Sequence, residues 1–294
     1  MNTRIKYLFL SLILALILIA SAIFSFPDNK LHLIFCDVGQ GDAILITYNQ
    51  TQILVDGGPN QKILGCLSKH MPFWDKDLEL IVSTHPEADH LTGLVSVLER
   101  YNVRQISTNS FPDESGVFSK FRQEVIEKKI PVFSPKTGDQ IKIGPIKLKT
   151  LFPLQKLGDE VVWKNPADIK VLGLNNFSGN FNDTAIVSQL SFGKFQALLT
   201  GDIGINQEND INSELGPVDV LKVAHHGSKS SSSEAFLEKI APKLAVISVG
   251  IGNRYGHPTN EVLERLRNLN IKILRTDTDG EVEVVSDGES WGVK

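Results

Sequence analysis

Apolar runs of strand length alternate along the chain with polar turns and with stretches of helical spacing. "LHLIFCDV" (31–38), "AILITY" (43–48) and "TQILVDGG" (51–58) are β-rich and closely spaced, which predicts a meander. Lys62 to Lys69 has helical spacing, "LELIVSTH" (78–85) has the length and apolarity of a buried strand, and "LTGLVSVLERY" (91–101) returns to helical spacing. "QISTN", a helix over "VFSKFRQEVIEKK", and strands at "IPVFS" and "IKLKTLFP" follow. The second half opens with "TAIVSQLSF" and "FQALLTGD", a hairpin turning at Gly193-Lys194. "VDVLKVAHHGS", a helix over Ser232 to Ile240, "LAVISVG", a helix over Asn260 to Leu269, "KILRTD" and "GEVEVVS" complete that half. Two β-rich halves with helices after their strands predict one domain of two sheets covered by outer helices.

The N-terminus breaks this pattern. After Arg4 and Lys6, the twenty residues from Tyr7 to Phe26 carry no charge, a run of roughly 30 Å as a helix. The chain therefore divides into a segment 1–26, predicted to be a transmembrane anchor with its N-terminus in the cytoplasm, and a domain 27–294 outside the cytoplasm. The competing reading is a signal peptide processed after "ASA" at Ala20 to Ala22. Both readings export the domain. Its two cysteines, Cys36 and Cys66, lie in apolar surroundings and read as small core residues ahead of a bridge, and the absence of a CxxC excludes a thiolate zinc knuckle.

Charge changes the picture further. Thirty basic residues stand against 34 acidic ones, and without Arg4 and Lys6 the exported part has 28 against 34. A protein gripping duplex DNA over many phosphates is usually basic, so the balance argues against a broad, sequence-independent grip and leaves room for a nuclease whose metals neutralise a few phosphates.

Candidate chemistry concentrates where strands end. In "VSTHPEADHLTGL", His85, Glu87, Asp89 and His90 lie within six residues. Imidazoles and carboxylates are the ligands of a hydrolytic metal site, and alternation at 85, 87 and 89 places three of them on one side of an extended turn. "LLTGD" ends at Asp202, "LKVAHHGS" at His225 and His226, and "NRYGHP" delivers His257. Five of the seven histidines lie in these motifs, interleaved with glycines that permit sharp turns.

Together with "DVGQGDAILI", "LVDGG", "ISVGIGNRYGHP" and "TDTDGEV", these motifs resemble the metallo-β-lactamase superfamily over about residues 31 to 286. Within it, the chain is most similar to the exported hydrolase domain of the competence DNA-uptake channel family ComEC, without that family's many-helix channel. The resemblance implies an α/β fold, a four-layer αββα sandwich, here preceded by one transmembrane helix. It implies a centre for two divalent metal ions, manganese or zinc, on His85, Glu87, Asp89, His90 and Asp202 with a further histidine, placed at His226 with His225 and His257 competing. The superfamily's usual histidine between His90 and Asp202 is missing; "FNDTAIV" stands there instead, which leaves one metal position a ligand short and makes Asn182 a substrate-side or supporting candidate. Asp89 reads as ligand and orienter of the nucleophile, and His225 as the proton or hydrogen-bond donor to substrate.

Weaker candidates surround this set. Asp37, Gln40 and Asp42 border the site or only form a tight turn; Asp56 supports a ligating histidine; Lys229 contacts phosphate or only follows an N-capping serine cluster. The stretch 155–182, with Trp163, Phe177 and Phe181, is a lid or a surface excursion. Three functions follow: a membrane-anchored phosphodiesterase acting on DNA, with the DNA-uptake machinery as a partner; a hydrolase of a smaller phosphoester such as a phosphorylcholine group; and a non-catalytic envelope binding module.

Overall fold

The computed structural model describes residues 3–24, 27–109, 115–154 and 180–294. The stretch 155–182, read as a lid or a surface excursion, lies outside these residues except for 180–182. Helix α1 (Thr3–Phe24) carries large apolar side chains, Tyr7, Leu8, Phe9 and Leu10 among them, that are exposed. Its side chains are described for residues 4–16, and among the described residues no helix is long and apolar enough to cross a membrane.

The first sheet begins as the expected meander: β1 (Leu31–Phe35), β2 (Ile44–Tyr48) and β3 (Thr51–Val55) pair antiparallel. Helix α2 (Lys62–His70) follows, then β4 (Asp77–Leu78), β5 (Leu80–Ser83), α3 (Ala88–Arg100), β6 (Asn102–Val103), β7 (Ile106–Thr108), α4 (Gly116–Glu127) and β8 (Val132–Phe133). Here β3, β5, β7 and β8 run parallel, with α2, α3 and α4 in the three crossovers, while β4 and β6 form a separate short pair.

The second sheet begins antiparallel with β9 (Gln140–Ile143), β10 (Ile146–Phe152), β11 (Val187–Phe192) and β12 (Phe195–Leu199). It continues parallel through β13 (Val220–Lys222), β14 (Leu244–Ile247) and β15 (Lys272–Arg275), with α5 (Ile205–Ile211), α6 (Glu234–Ile240) and α7 (Asn260–Asn268) between strands. A short helix α8 (Thr276–Asp279) leads to β16 (Val282–Ser286) and β17 (Trp291–Val293). These last strands correct one expectation: "GEVEVVS" does not complete the second sheet but pairs with β1 in the first, Leu33 opposite Val284. A run buried on both faces carries no mark of which sheet it joins.

Alternation sorts the core into layers. Leu31, Leu33 and Phe35 of β1, and Ile53 and Val55 of β3, meet Phe195, Ala197, Leu199 and Val246 of the other sheet. The intervening Ile34, Leu54 and Ile81 face α2, α3 and α4, while Leu198, Leu221, Ala245 and Ile247 face α5, α6 and α7. Helix, sheet, sheet, helix is the resulting order, and it explains why the strands read as continuous apolar runs.

The cysteine expectation is corrected. Cys36 and Cys66 form a disulfide between the end of β1 and α2, their Cα atoms 6.0 Å apart. Both are also buried in the helix–sheet core, so apolar surroundings described them correctly while saying nothing of their approach across 30 residues.

Candidate metal centre

The loops leaving β3, β5, β12 and β13 at their carboxyl ends converge on one edge between the sheets. Asp56 follows β3, His85 follows β5, Asp202 follows β12, and His226 follows β13 through a turn in which His225 and His226 both have left-handed backbone (φ 49° and 54°). Helix α3 contributes Asp89 and His90 from its first turn, with Glu87 as its N-cap. That corrects the extended turn expected over 85–89: the helix begins three residues earlier than its apolar period announces, because the polar first turn is turned into the site.

Close packing holds α3 there. A Cβ added at Gly93 would lie 1.8 Å from the Gly57 carbonyl oxygen. The Gly93 N–H donates to the Gly58 carbonyl at 2.8 Å, and the Gly57 N–H to that of His90 at 2.7 Å. The helix thus docks directly on the loop after β3, bringing His90 to Asp56.

Asp56, 1 % exposed, organises two rings. Its Oδ2 accepts from His90 Nδ1 at 2.8 Å and from the Thr84 hydroxyl at 2.7 Å; its Oδ1 accepts from the Thr84 N–H at 2.8 Å. With its proton committed to Asp56, Thr84 Oγ1 accepts from His85 Nδ1 at 2.9 Å. His226 Nδ1 donates to the Ser248 carbonyl at 2.9 Å. All three rings therefore use Nδ1 as donor and turn Nε2 inward. The Nε2 atoms of His85, His90 and His226 are buried and make no hydrogen bond.

Carboxylates complete the cluster. Asp202 Oδ2 lies 3.4 Å from His90 Nε2 and 3.2 Å from His226 Nε2, and Asp89 Oδ2 lies 3.5 Å from His226 Nε2. Two overlapping sets, His85–His90–Asp202 and Asp89–His90–His226, each hold their ligand atoms within 4.8 Å of one another. Orphaned buried nitrogens of fixed tautomer among acidic oxygens fit divalent cations. Without them, the charges settle among themselves. Burial disfavours charge on His90, yet Asp202 and Asp56 outweigh it and hold the ring well above the imidazole range; the same contest, won by Asp202, lifts His226 to about 10. Burial would raise Asp89, but His226, its Nε2 3.5 Å away, and the charge of His90 lower it to about 2. His85, buried beside His90, is pushed well down.

With this geometry in place, a sequence-family comparison decides the kinship: the Metallo-beta-lactamase superfamily matches residues 36–251, well over half of the chain. The chain belongs to the metallo-beta-lactamase superfamily. That bears out the resemblance read from the motifs, including its competence branch. ComE operon protein 3 of Bacillus subtilis is 26% identical over 273 residues, 84% of this chain and 32% of the relative. Recombination protein 2 of Haemophilus influenzae is 28% identical over 255 residues, 84% of this chain and 28% of the relative. The chain thus spans about a third of the length of these curated relatives. The metallo-beta-lactamase fold protein YhfI from Bacillus subtilis superposes with a TM-score of 0.55 at 9% identity, covering 86% of this chain and 99% of that one, a likeness of fold alone. The superfamily is one of metal-dependent hydrolases, and the chain is a superfamily hydrolase in that coarse sense.

The remaining sequence candidates divide. Glu87 lies on the rim, its carboxylate 3.9 Å from His85 Nε2 and about a third exposed. Asp42 is buried, 3.5 Å from His226 Nδ1. Asn182 is buried, its Oδ1 without a partner, and lines a cavity of about 330 Å³ together with Asp202, His225 and Gln207. His225 and His257 pack edge to face, their ring centroids 5.6 Å apart, outside the ligand sets found among the described residues. Asp37 is exposed and accepts from the Gly39 N–H at 3.3 Å within its turn, and Gln40 accepts from the Gly250 N–H at 3.2 Å, tying that turn to the loop after β14. Lys229 is exposed and Ser233 caps α6 by accepting from Phe236 N, the bland alternative for that motif.

Sequence reasoning missed three residues. Thr84 passes the hold of Asp56 on to His85. Asn109 Nδ2 donates to the Thr84 carbonyl at 2.9 Å and the Thr184 carbonyl at 2.8 Å, tying the two halves at the site. Lys222 is fully buried; its Nζ ion-pairs with Asp42 Oδ2, lies 3.3 Å from Asp202 Oδ1 and donates to the Gly201 carbonyl at 2.9 Å. Burial lowers its pKa, but Asp42 and Asp202 more than restore it. A lysine inside the apolar run "VDVLKVA" was the available signal, since lysine is buried only when paired.

Proposed function

We propose that the chain is a metal-dependent phosphodiesterase that cleaves DNA outside the cytoplasmic membrane. One observation carries the reading: three buried histidine Nε2 atoms without hydrogen bonds converge with Asp89 and Asp202 at the carboxyl ends of the central strands. His85, Glu87 and Asp202 would hold one ion, and Asp89, His90, His226 and Asp202 the other. Two divalent ions supply a nucleophile available near neutral pH and stabilise charge on a phosphoryl oxygen. Their oxygen-rich surroundings favour manganese over zinc.

The chain's own residues do the rest. Asp56, Thr84 and the Ser248 carbonyl fix the tautomers of the three rings, so that each offers Nε2 without reorganisation. Asp89 orients the nucleophile. His225 borders the cavity beside Asp202, and burial, opposed by Asp202, holds its pKa below the usual imidazole value. It therefore meets substrate as a neutral ring whose N–H binds a phosphoryl or leaving-group oxygen. The names of the relatives, a competence-operon protein and a recombination protein, support a polynucleotide substrate.

Segment 1–26 would be the anchor. The described apolar side chains of α1 are exposed, and the disulfide suits an oxidising compartment outside the cytoplasm. Intact mass of the membrane-bound protein tests this: a chain starting near Ile23 and released in soluble form would make it a signal peptide.

A second reading has its own support. The cavity beside Asp202 shows only amides, Asp183, Ser230 and His225 as polar side chains among the described residues, with no lysine or arginine, which suits a small choline phosphoester. The deciding experiment incubates the detergent-solubilised chain with manganese or zinc and single-stranded DNA, duplex DNA or p-nitrophenyl phosphorylcholine. Metal-dependent cleavage of DNA without sequence preference is expected. Turnover of the choline ester alone would replace this reading with the second, and binding of ions without any turnover would leave a binding module.

A further inference from the structure

We propose that Lys222 is a built-in cation of the metal centre: its ammonium fills a hard-cation position that Asp42, Asp202 and the Gly201 carbonyl would otherwise offer to a third metal ion. The inference rests on the two-ion reading of the site and goes beyond it.

Geometry comes first. Val220 faces the inter-sheet core, so strand alternation turns Lys222, two residues on, to the same face at the strand's end, where the site lies. There the side chain is fully buried, and its three N–H donors meet three oxygens: Asp42 Oδ2, Asp202 Oδ1 at 3.3 Å and the Gly201 carbonyl at 2.9 Å. Two carboxylates and a carbonyl are what a hard cation selects. Asp42, Asp202 and His226 also form a ligand set of their own, with atoms within 4.8 Å. But His226 Nδ1 is committed to Ser248, which leaves the oxygens to the ammonium.

Charge makes the same case independently. Glu87, Asp89, Asp202, Asp42 and Asp56 place five carboxylates at the centre. Two divalent ions with neutral histidines do not match these carboxylates, and Lys222 adds positive charge where Asp42 and Asp202 are buried. Buried carboxylates left without a counter-charge are strongly unfavourable. The ammonium has a directional consequence as well. Pinning Asp202 Oδ1 leaves Oδ2 to face His90 and His226, at 3.4 and 3.2 Å. Lys222 is thus a positioning residue that sets how many ions the centre takes and which oxygen of Asp202 they meet.

The test counts ions in the full chain, solubilised in detergent and saturated with manganese, by elemental analysis and by the paramagnetic resonance of bound Mn(II). The wild type should bind about two ions, Lys222→Ala about three, and the charge-matched pair Asp42→Asn/Lys222→Met about two again. Lys222→Ala holding two ions with wild-type affinity would overturn the proposal, since the lysine would then only fill space. Should Lys222→Ala fail to fold, the charge-matched pair decides: two ions on a folded chain uphold the charge role, and fewer ions or an unfolded chain refute it. No ions on the wild type would instead remove the two-ion reading on which the proposal stands.

Discussion

Replacing Asp56 by Asn should disable the metal centre while leaving the fold standing. The substitution keeps volume and changes one group of a buried, fully bonded carboxylate. The amide oxygen is held by the Thr84 N–H, now 2.8 Å from Oδ1, because the reverse orientation would set two donors against each other. The NH₂ then faces His90 Nδ1, now 2.8 Å from Oδ2. His90 can meet a donor only by accepting through Nδ1, which moves its proton to Nε2, the atom that faces Asp202 and would ligate an ion. The Thr84 hydroxyl also loses its acceptor and with it the polarity that orients His85. Loss of such a supporting bond costs about 10–100-fold in metal affinity, or roughly 1.4–2.7 kcal/mol. Asp56→Ala would strand three buried donors and destabilise the domain by about 3 kcal/mol or more. Calorimetric titration with manganese, alongside thermal unfolding of the metal-free protein, separates the two effects. Asp56→Asn with wild-type metal affinity would refute the argument that this carboxylate sets the tautomer.

Three further outcomes are expected. Gly93→Ala, which in a free helix would stabilise by about 1 kcal/mol, should instead lower the melting temperature and weaken metal binding, since its Cβ would fall 1.8 Å from the Gly57 carbonyl oxygen. Chelation should destabilise the chain by about 2.7 kcal/mol for each site held at about 100 times its dissociation constant, read as a fall in melting temperature that manganese restores. Replacing Cys36 and Cys66, 30 positions apart, by Ser should cost about 3–4 kcal/mol in denaturant unfolding and leave the number of bound ions unchanged.

What could be read from the sequence follows from how local each signal is. The meander over β1 to β3, the hairpin at Gly193 and the helices α2, α4 and α7 rest on periodicity and turn residues within a few positions, and each is where its pattern places it. The start of α3 was hidden because His85, Glu87, Asp89 and His90 belong to the site rather than to an amphipathic face. Pairing of β16 with β1, and of Cys36 with Cys66, spans distances at which a single sequence carries no information on partners. Polar residues at the site were visible when clustered, as in "HPEADH", and invisible when their partner was remote. Lys222 illustrates the second case: only the approach of Asp42 from the far sheet turns an odd lysine in an apolar strand into a member of an ionic cluster.

The site's position has a topological cause. Each sheet is antiparallel on one side and parallel on the other, and the change occurs between β3 and β5 in the first and between β12 and β13 in the second. At such a junction the loops leaving the two parallel strands emerge together while the antiparallel neighbour's loop departs from the other end, which opens a crevice at the carboxyl ends. Asp56 and His85 leave the first junction; Asp202 and His226 leave the second. Neither half holds a full set: His85, Asp89 and His90 come from one, Asp202, Lys222 and His226 from the other. The centre therefore exists only when the two sheets are stacked, and an ion bound across it draws on the same contacts that join Phe35 and Val55 to Phe195 and Leu199 in the core. Metal affinity and sheet docking are in this way one equilibrium, so a change that loosens the contact between the two sheets is expected to register in ion binding even where it touches no ligand.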